Sequence, residues 1–597
     1  MLASPRLRPV EHVLVVRCAA PRASIWRYLA DTQLLNMEIK SAPLEVSKVT
    51  DQASANRYMI STQVAGIPVR YREEPWQWAE TRVFSLRRDM ESGPSTSFSL
   101  RYDLKDLPTG GTEVTIRSTL TVRHPIFWPI VWLVSRRELK RVARYVQTID
   151  ESIAKQTPIQ PVRAPGDPAR AEKALTQLRA KHDRELVEKL RDHVFKGPDY
   201  DVLRIRPFEL ARTWKQKRED VVRLCLDSVG AGILELRWAI ICPSCQTVSD
   251  ILPSLRELQE TAHCHSCDIQ FGMDLSRAVE ATFAPHPSIR VVEGRPFCIA
   301  GPMLTPHVMA QALVSPGKPG SLAVSGEAGR YRLFARGGQT AVVDAAAGKP
   351  DRVRVLLDKT GLKSTQIDVA PGGEIEVASD DRQPCHVKLE RILFNFDALT
   401  ALYVSTMPEF RAQFGGEALR PGLALKVGKV AVYFSDLCGS TALYSKVGDA
   451  SAFGVVTDCL SFGTAIVEKN GGALVKTMGD AVMATFADVS NAIAAAAETV
   501  LAWEAFQKAH PLARDLDIKV GVAAGPCTIV TANGVLDYFG QTVNTAARVQ
   551  HLAGARELVV SRDLMTEAPP GMRVIERFEA QVKGIVEPLS LVRLGPS

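Results

Sequence analysis

Long apolar runs are missing from this sequence. The most apolar stretch, Ile126–Val134, stops far short of the roughly 20 residues a bilayer-crossing helix needs, and Pro129 interrupts it. The opening MLASPRLRPVEHVLVV lacks a signal-peptide core followed by a small-residue cleavage site. Together these absences predict a cytoplasmic chain without a transmembrane segment. Charge of one sign is not in large excess either. A net +7 over 597 residues is mild, and no nucleic-acid partner is expected. No repeat of fixed period is visible. A disulfide framework is not suggested, because 11 cysteines is an odd count and four of them form a metal-like pattern, which suits a reducing compartment. What is present, 46% apolar and 23% charged residues, is an ordinary globular balance. The length suits about three to five domains at roughly 100–200 residues each.

Residues 1–157 begin with short alternating runs, His12–Cys18, Asn56–Val64, Val83–Arg87, Thr96–Asp103 and Thr112–Val122, separated by polar and glycine turns. Leu139, Val142, Val146 and Ile149 then recur at helical spacing, which predicts a helix over Arg136–Lys155. A curved antiparallel sheet wrapped on a long C-terminal helix is the simplest architecture. The rhythm VVRCAAPRASIWRYLAD resembles the start of the START-like (SRPBCC) ligand-binding superfamily, a helix-grip fold, which implies a small hydrophobic ligand. Trp26, Tyr71, Trp76, Trp78, Trp128 and Trp132 either line such a cavity or fill a core. The run IFWPIVWLV followed by SRRELKR alternatively suits contact with a membrane surface.

A Pro-rich linker, 156–168, opens a segment over 158–238 with a charged helix, Ala169–Val194. Two short helices, a glycine turn and a strand over 204–238 make a winged-helix-like unit. This segment and the cysteine region after it resemble an uncharacterised domain that precedes the catalytic domain in some bacterial cyclases. Within 239–317, Cys242 and Cys245 are followed, after 18 residues, by Cys264 and Cys267. Two C-x2-C knuckles at this spacing fit a zinc ribbon holding a structural Zn²⁺ on four thiolates; the alternative is four reduced core cysteines. His263 and His265 are substitute ligands that four thiolates do not need. Glycine-dotted strands over 318–395 predict a β-sandwich-like domain. Residues 396–426 read as a connector with a helix over Leu399–Phe414.

The last region, 427–597, carries the chemistry. The strand VAVYFSD ends in Asp436 and runs into a Gly-Ser-Thr turn; a second strand pair turns at Met478-Gly479-Asp480. The aspartates are 44 positions apart, yet each sits where a strand meets a turn, so adjacent strands would unite them. Paired carboxylates beside turn amides suit divalent cations and phosphate. Taken together, FSDLCGST, KTMGDAVMATF, LDYFGQTVNTAARV and VKGIVEPLSLVRL resemble the class III adenylate and guanylate cyclases, in that family's order and spacing.

The resemblance implies a multidomain α+β protein ending in a ferredoxin-like α/β cyclase domain. It implies that Asp436, the Leu437 carbonyl and Asp480 hold two Mg²⁺ or Mn²⁺ per site. Lys476 and Asp537 would read the adenine edge, Asn544 would orient the ribose, Arg548 would stabilise the transferring phosphoryl group, and Lys583 would bind the terminal phosphates. Guanylate cyclases usually carry Glu at the lysine position and a small polar residue or Cys at the aspartate position. The expectation is therefore an adenylate cyclase converting ATP to cyclic AMP and pyrophosphate in a head-to-tail homodimer, regulated by the N-terminal modules. The alternatives are a guanylate cyclase and a catalytically silent cyclase-like dimer. Cys438, Cys459 and Cys527 are expected to be small buried residues.

Overall fold

The computed structural model describes residues 8–48, 58–108, 110–156, 166–264, 269–292, 297–298, 301–380, 384–392, 397–583, 585 and 587–597. In the N-terminal region, strand Val10–Cys18 pairs antiparallel with Thr112–Val122, in register from Val10↔Leu120 to Cys18↔Thr112. The sheet continues through Ser95–Asp106, Val83–Met90 and Gln77–Ala79. It curves around one helix, Trp128–Lys155, which buries Val131, Leu139, Val142, Tyr145, Val146 and Ile149. That helix starts eight positions before the expected Arg136. Pro129 lies in its first turn, where a missing N–H breaks no helical hydrogen bond, so the apolar run becomes helix rather than stopping it.

The charged helix expected over Ala169–Val194 is two helices, Pro168–Lys181 and Arg184–Lys196. The break is made by Asp183, whose carboxylate accepts the Leu186 amide 3.0 Å away and starts the second helix as a cap. Helices Pro207–Trp214 and Arg218–Gly230 follow. Strand Leu234–Ile241 then lies between Val248–Leu252 and Val279–Pro285.

The β-rich region is two packed sheets sharing one core. It starts earlier than residue 318, because strand Val308–Val314 belongs to it and not to the cysteine region. The same strand pairs its Ala310 and Gln311 with Ala79 and Trp78, so the N-terminal sheet and the larger β-rich sheet are one 13-stranded sheet. The Trp78 indole N–H donates to the Val308 carbonyl at 3.0 Å across that junction. The helix expected over Leu399–Phe414 is also split, into Ala401–Ser405 and Pro408–Gln413, since Pro408 cannot continue the first and opens the second.

The C-terminal sheet is built on strands Leu425–Cys438, Ala473–Met478, Ala481–Phe486 and Asp517–Ala532. Their spatial order, numbered along the chain, is 2-3-1-4. This is the ferredoxin-like βαββαβ arrangement. Helices Asp449–Lys469 and Val489–Ala509 cover one face; Gln541–His551 covers the other. Among the described residues, Asp449–Lys469 is long and apolar enough to cross a membrane by length and composition, which the sequence reading did not single out. Its Ala452, Val455, Val456, Cys459, Ile466 and Val467 pack into the core of this domain.

Candidate functional site

Asp436 lies near the end of the central strand Leu425–Cys438. The ladder with the neighbouring strand ends at Ser435↔Val482, which sets Asp436 beside the Gly479-Asp480 turn. The 44-residue separation is thus closed by one strand pairing. Both carboxylates, with Asp517, act electrostatically on Cys438, whose thiol is raised chiefly by burial. Gly439 takes φ 91°, a left-handed turn that favours glycine, and leads into helix Ser440–Val447.

Lys519 stands directly opposite Asp436 on the adjacent strand, and its ammonium lies 3.0 Å from the Asp436 carboxylate. Sequence reasoning missed this residue. Its only signal is a lysine inside the otherwise apolar run IKVGVAA, and the partner is set by register. A cation already held there shows that the position beside Asp436 accepts positive charge. Two hard carboxylates near a glycine turn are a donor set that fits Mg²⁺ or Mn²⁺.

Lys476 and Asp537 come together although 61 positions separate them: ammonium and carboxylate are 2.7 Å apart. Asp537 is buried, accepts the Tyr538 amide at 2.8 Å and sits on strand Val535–Phe539. The Lys476 ammonium also lies 5.2 Å from the Phe539 ring centroid. Asn544 and Arg548 lie one turn apart on helix Gln541–His551, whose other face buries Ala546, Val549 and Gln550. Neither side chain makes a hydrogen bond or ion pair among the described residues. Lys583 is exposed between strands Met572–Ala580 and Leu589–Pro596. Leu437 is buried and paired with Ile518. Cys459 and Cys527 are buried; Cys438 is only partly so.

Arg411, on the connector helix Pro408–Gln413, was also missed. Its guanidinium donates to the carbonyls of Ser405 at 3.1 Å, Leu474 at 3.1 Å and Leu536 at 2.9 Å. The last two lie two and one residues from Lys476 and Asp537.

Away from this centre, Cys242, Cys245 and Cys264 are buried with their sulfurs within 4.8 Å of one another, while Cys267 and His265 lie outside the described residues. Three soft sulfur donors at this separation fit a tetrahedral Zn²⁺. In the N-terminal region a cavity of about 290 Å³ is lined by Tyr71, Trp76, Arg88, Tyr102 and Leu139, among others. Of the six aromatics singled out, Tyr71 and Trp76 line it. Trp26 and Trp78 are in the core, and Trp128 and Trp132 lie outside the lining.

Residues 424–591 match the family described as the adenylate and guanylate cyclase catalytic domain, and residues 169–297 match a family of unknown function, DUF5939. The chain therefore carries a nucleotide cyclase catalytic domain at its C-terminal end. An uncharacterised protein of Mycobacterium tuberculosis is 32% identical over 157 residues, covering 25% of this chain and 38% of the relative. The chain thus spans well under half the length of the curated relatives it matches. Among solved structures, the adenylyl cyclase CyaB from P. aeruginosa is similar at 23% identity, over 29% of this chain and 97% of that one, with a TM-score of 0.25. A monomeric guanylyl cyclase domain from the aquatic fungus Blastocladiella emersonii is similar at 22% identity, over 24% and 85%, with a TM-score of 0.22.

Proposed function

We propose that this chain, which ends in a nucleotide cyclase catalytic domain, is an adenylate cyclase that converts ATP to 3′,5′-cyclic AMP and pyrophosphate. The observation that carries the choice of adenine is the Lys476–Asp537 pair, a half-buried donor beside a buried acceptor. Adenine presents an acceptor and an amine on its Watson–Crick edge and satisfies both. Guanine would leave both unmet, at about 1–3 kcal/mol for the buried Asp537 carboxylate and less for the half-exposed Lys476 ammonium.

Asp436, the Leu437 carbonyl and Asp480 hold the divalent cations, and Lys519 yields its place as they enter. When bound, two such cations acidify the ribose 3′-hydroxyl and neutralise the triphosphate. Asn544 orients the ribose, Arg548 meets charge developing on the α-phosphoryl group, and Lys583 holds the terminal phosphates. The 3′-oxygen displaces pyrophosphate in line. Each chain holds each set of residues once, so a head-to-tail homodimer gives two equivalent sites. The Asn544 and Arg548 side chains, without a partner among the described residues, are available to a nucleotide.

The N-terminal region acts as a START-like sensor for a small hydrophobic ligand, and Zn²⁺ on Cys242, Cys245, Cys264 and Cys267 holds the middle region in a reducing, cytoplasmic setting. The test is turnover of ATP and GTP by the purified chain with Mg²⁺ or Mn²⁺, with Asp436→Ala as control. Absence of cyclic AMP under all conditions, or a control as active as wild type, would overturn the reading; cyclic GMP as the main product would replace adenine with guanine.

A further inference from the structure

The start of the long N-terminal helix carries apolar surface that the fold does not use. Ile126 is 73% exposed, Leu133 62%, Ile130 48%, Trp128 40% and Phe127 38%. Large apolar residues scattered singly are ordinary; five within two turns form a patch. Val131 and Leu139 cover the sheet from the same helix, so the inner face is already supplied.

Along the helix the exposed stripe changes character. Residues 130, 133, 137, 140 and 144 recur at helical spacing. They read Ile, Leu, Arg, Lys and Arg, all exposed. At 1.5 Å per residue the apolar tip and the middle of the basic band are separated by about 15 Å. Between residues 123 and 149 there are six Arg or Lys and one acid, Glu138, which is ion-paired with Arg141 at 2.9 Å. Trp132 lies at the boundary, 4.9 Å from the Arg136 guanidinium and roughly parallel to Trp128 at 6.5 Å between centroids. An apolar tip, an aromatic pair and then a band of cations is the order of layers met on leaving a bilayer whose headgroups are anionic. Ile130 and Val134 also line the N-terminal cavity, so the patch forms part of its rim.

We propose that Ile126–Leu133 and the basic band after it dock this chain peripherally on an anionic membrane surface, with the rim of the N-terminal cavity at the bilayer. The experiment is sedimentation of the full chain with vesicles of phosphatidylcholine alone and of phosphatidylcholine with phosphatidylglycerol, at low and high salt. The chain is expected to sediment with the anionic vesicles, less so at high salt, and to stay in solution with the neutral ones. Ile126→Asp with Leu133→Asp should weaken partitioning at least about tenfold, since two apolar side chains no longer enter the bilayer. Its melting temperature should stay that of wild type, because both positions are exposed. Arg137→Glu with Lys140→Glu should remove the preference for anionic lipid. No sedimentation with either vesicle, or equal sedimentation of the apolar variant, overturns the proposal. So does light scattering in which that variant breaks an oligomer while wild type ignores vesicles, which would make the patch an interface between copies.

Discussion

Lys476 and Asp537 neutralise each other at 2.7 Å across two strands that are not paired with one another. In the free protein each is the other's partner. On the proposed reading, a purine parts them and satisfies both. Lys476→Ala or Asp537→Ala leaves one member unmatched, so kcat/KM for ATP is expected to fall about 5- to 150-fold, the kinetic equivalent of about 1–3 kcal/mol. Lys476→Glu alone sets two acids side by side and should be worse than the double variant Lys476→Glu with Asp537→Cys, which should raise the ratio of GTP to ATP turnover. Initial rates with both nucleotides decide this.

Arg411 ties together the two strands that carry that pair. Its guanidinium spans the Leu474 and Leu536 carbonyls, and the ladder slips by one residue at Val475, beside Lys476. The same helix is tied to the middle region by the Glu409–Arg223 ion pair at 2.6 Å. Arg411→Ala should lower ATP-over-GTP discrimination and raise KM more than it lowers kcat. Arg411→Lys should not rescue it, because a single ammonium cannot bridge both carbonyls. Equal loss for both nucleotides would mean a purely structural role.

The catalytic strands were legible because short apolar runs meet polar or glycine turns, and the placement of Asp436 beside the Asp480 turn follows from two such ends. Lys519 and Arg411 were not legible: a lone lysine in a strand and an arginine in a short helix acquire their partners only through register and docking. The join between Ala79 and Ala310 was hidden for a related reason. Edge strands pair through backbone groups, which carry no residue pattern. Helix ends failed where one residue decides them, at Pro129, Asp183 and Pro408.

If Asp436 holds a divalent cation as proposed, Lys519 competes with it. Replacing it by Met removes a positive charge 3.0 Å from the carboxylate. The Mg²⁺ concentration for half-maximal activity is expected to fall about three- to tenfold. Titration of activity against Mg²⁺ reads this; an unchanged midpoint would show that the ion pair does not oppose metal entry.

Cys242, Cys245 and Cys264 should retain one zinc per chain through purification, measurable by elemental analysis. Arg332 donates to the Ser244 carbonyl inside the first knuckle, so the knuckle also anchors the β-rich sheet. Chelation, or Cys242→Ser, should lower the melting temperature and loosen that contact, since the binding energy of a structural zinc would be folding energy. A chain as stable without zinc as with it would return these residues to the status of core thiols.

His193 should set an acid limit on the middle region. It lies on helix Arg184–Lys196 with its ring edge-on to Trp214, 6.1 Å between centroids, and its Nε2 is buried without a hydrogen bond among the described residues. Burial, and then the buried Arg290 guanidinium, hold it down to about 4 from the ordinary 6.5. The folded chain thus keeps this ring neutral where the unfolded chain takes up a proton. Stability from this site is complete above pH 6.5 and is lost as pH falls from 6.5 towards 4, by about 2–3 kcal/mol in all. His193→Phe removes the titration and fills the same apolar space. The melting temperatures of wild type and variant should therefore stay a constant distance apart above pH 6.5 and diverge below it, the variant losing less. Parallel curves down to pH 4 would mean that the ring is protonated within the fold at no cost.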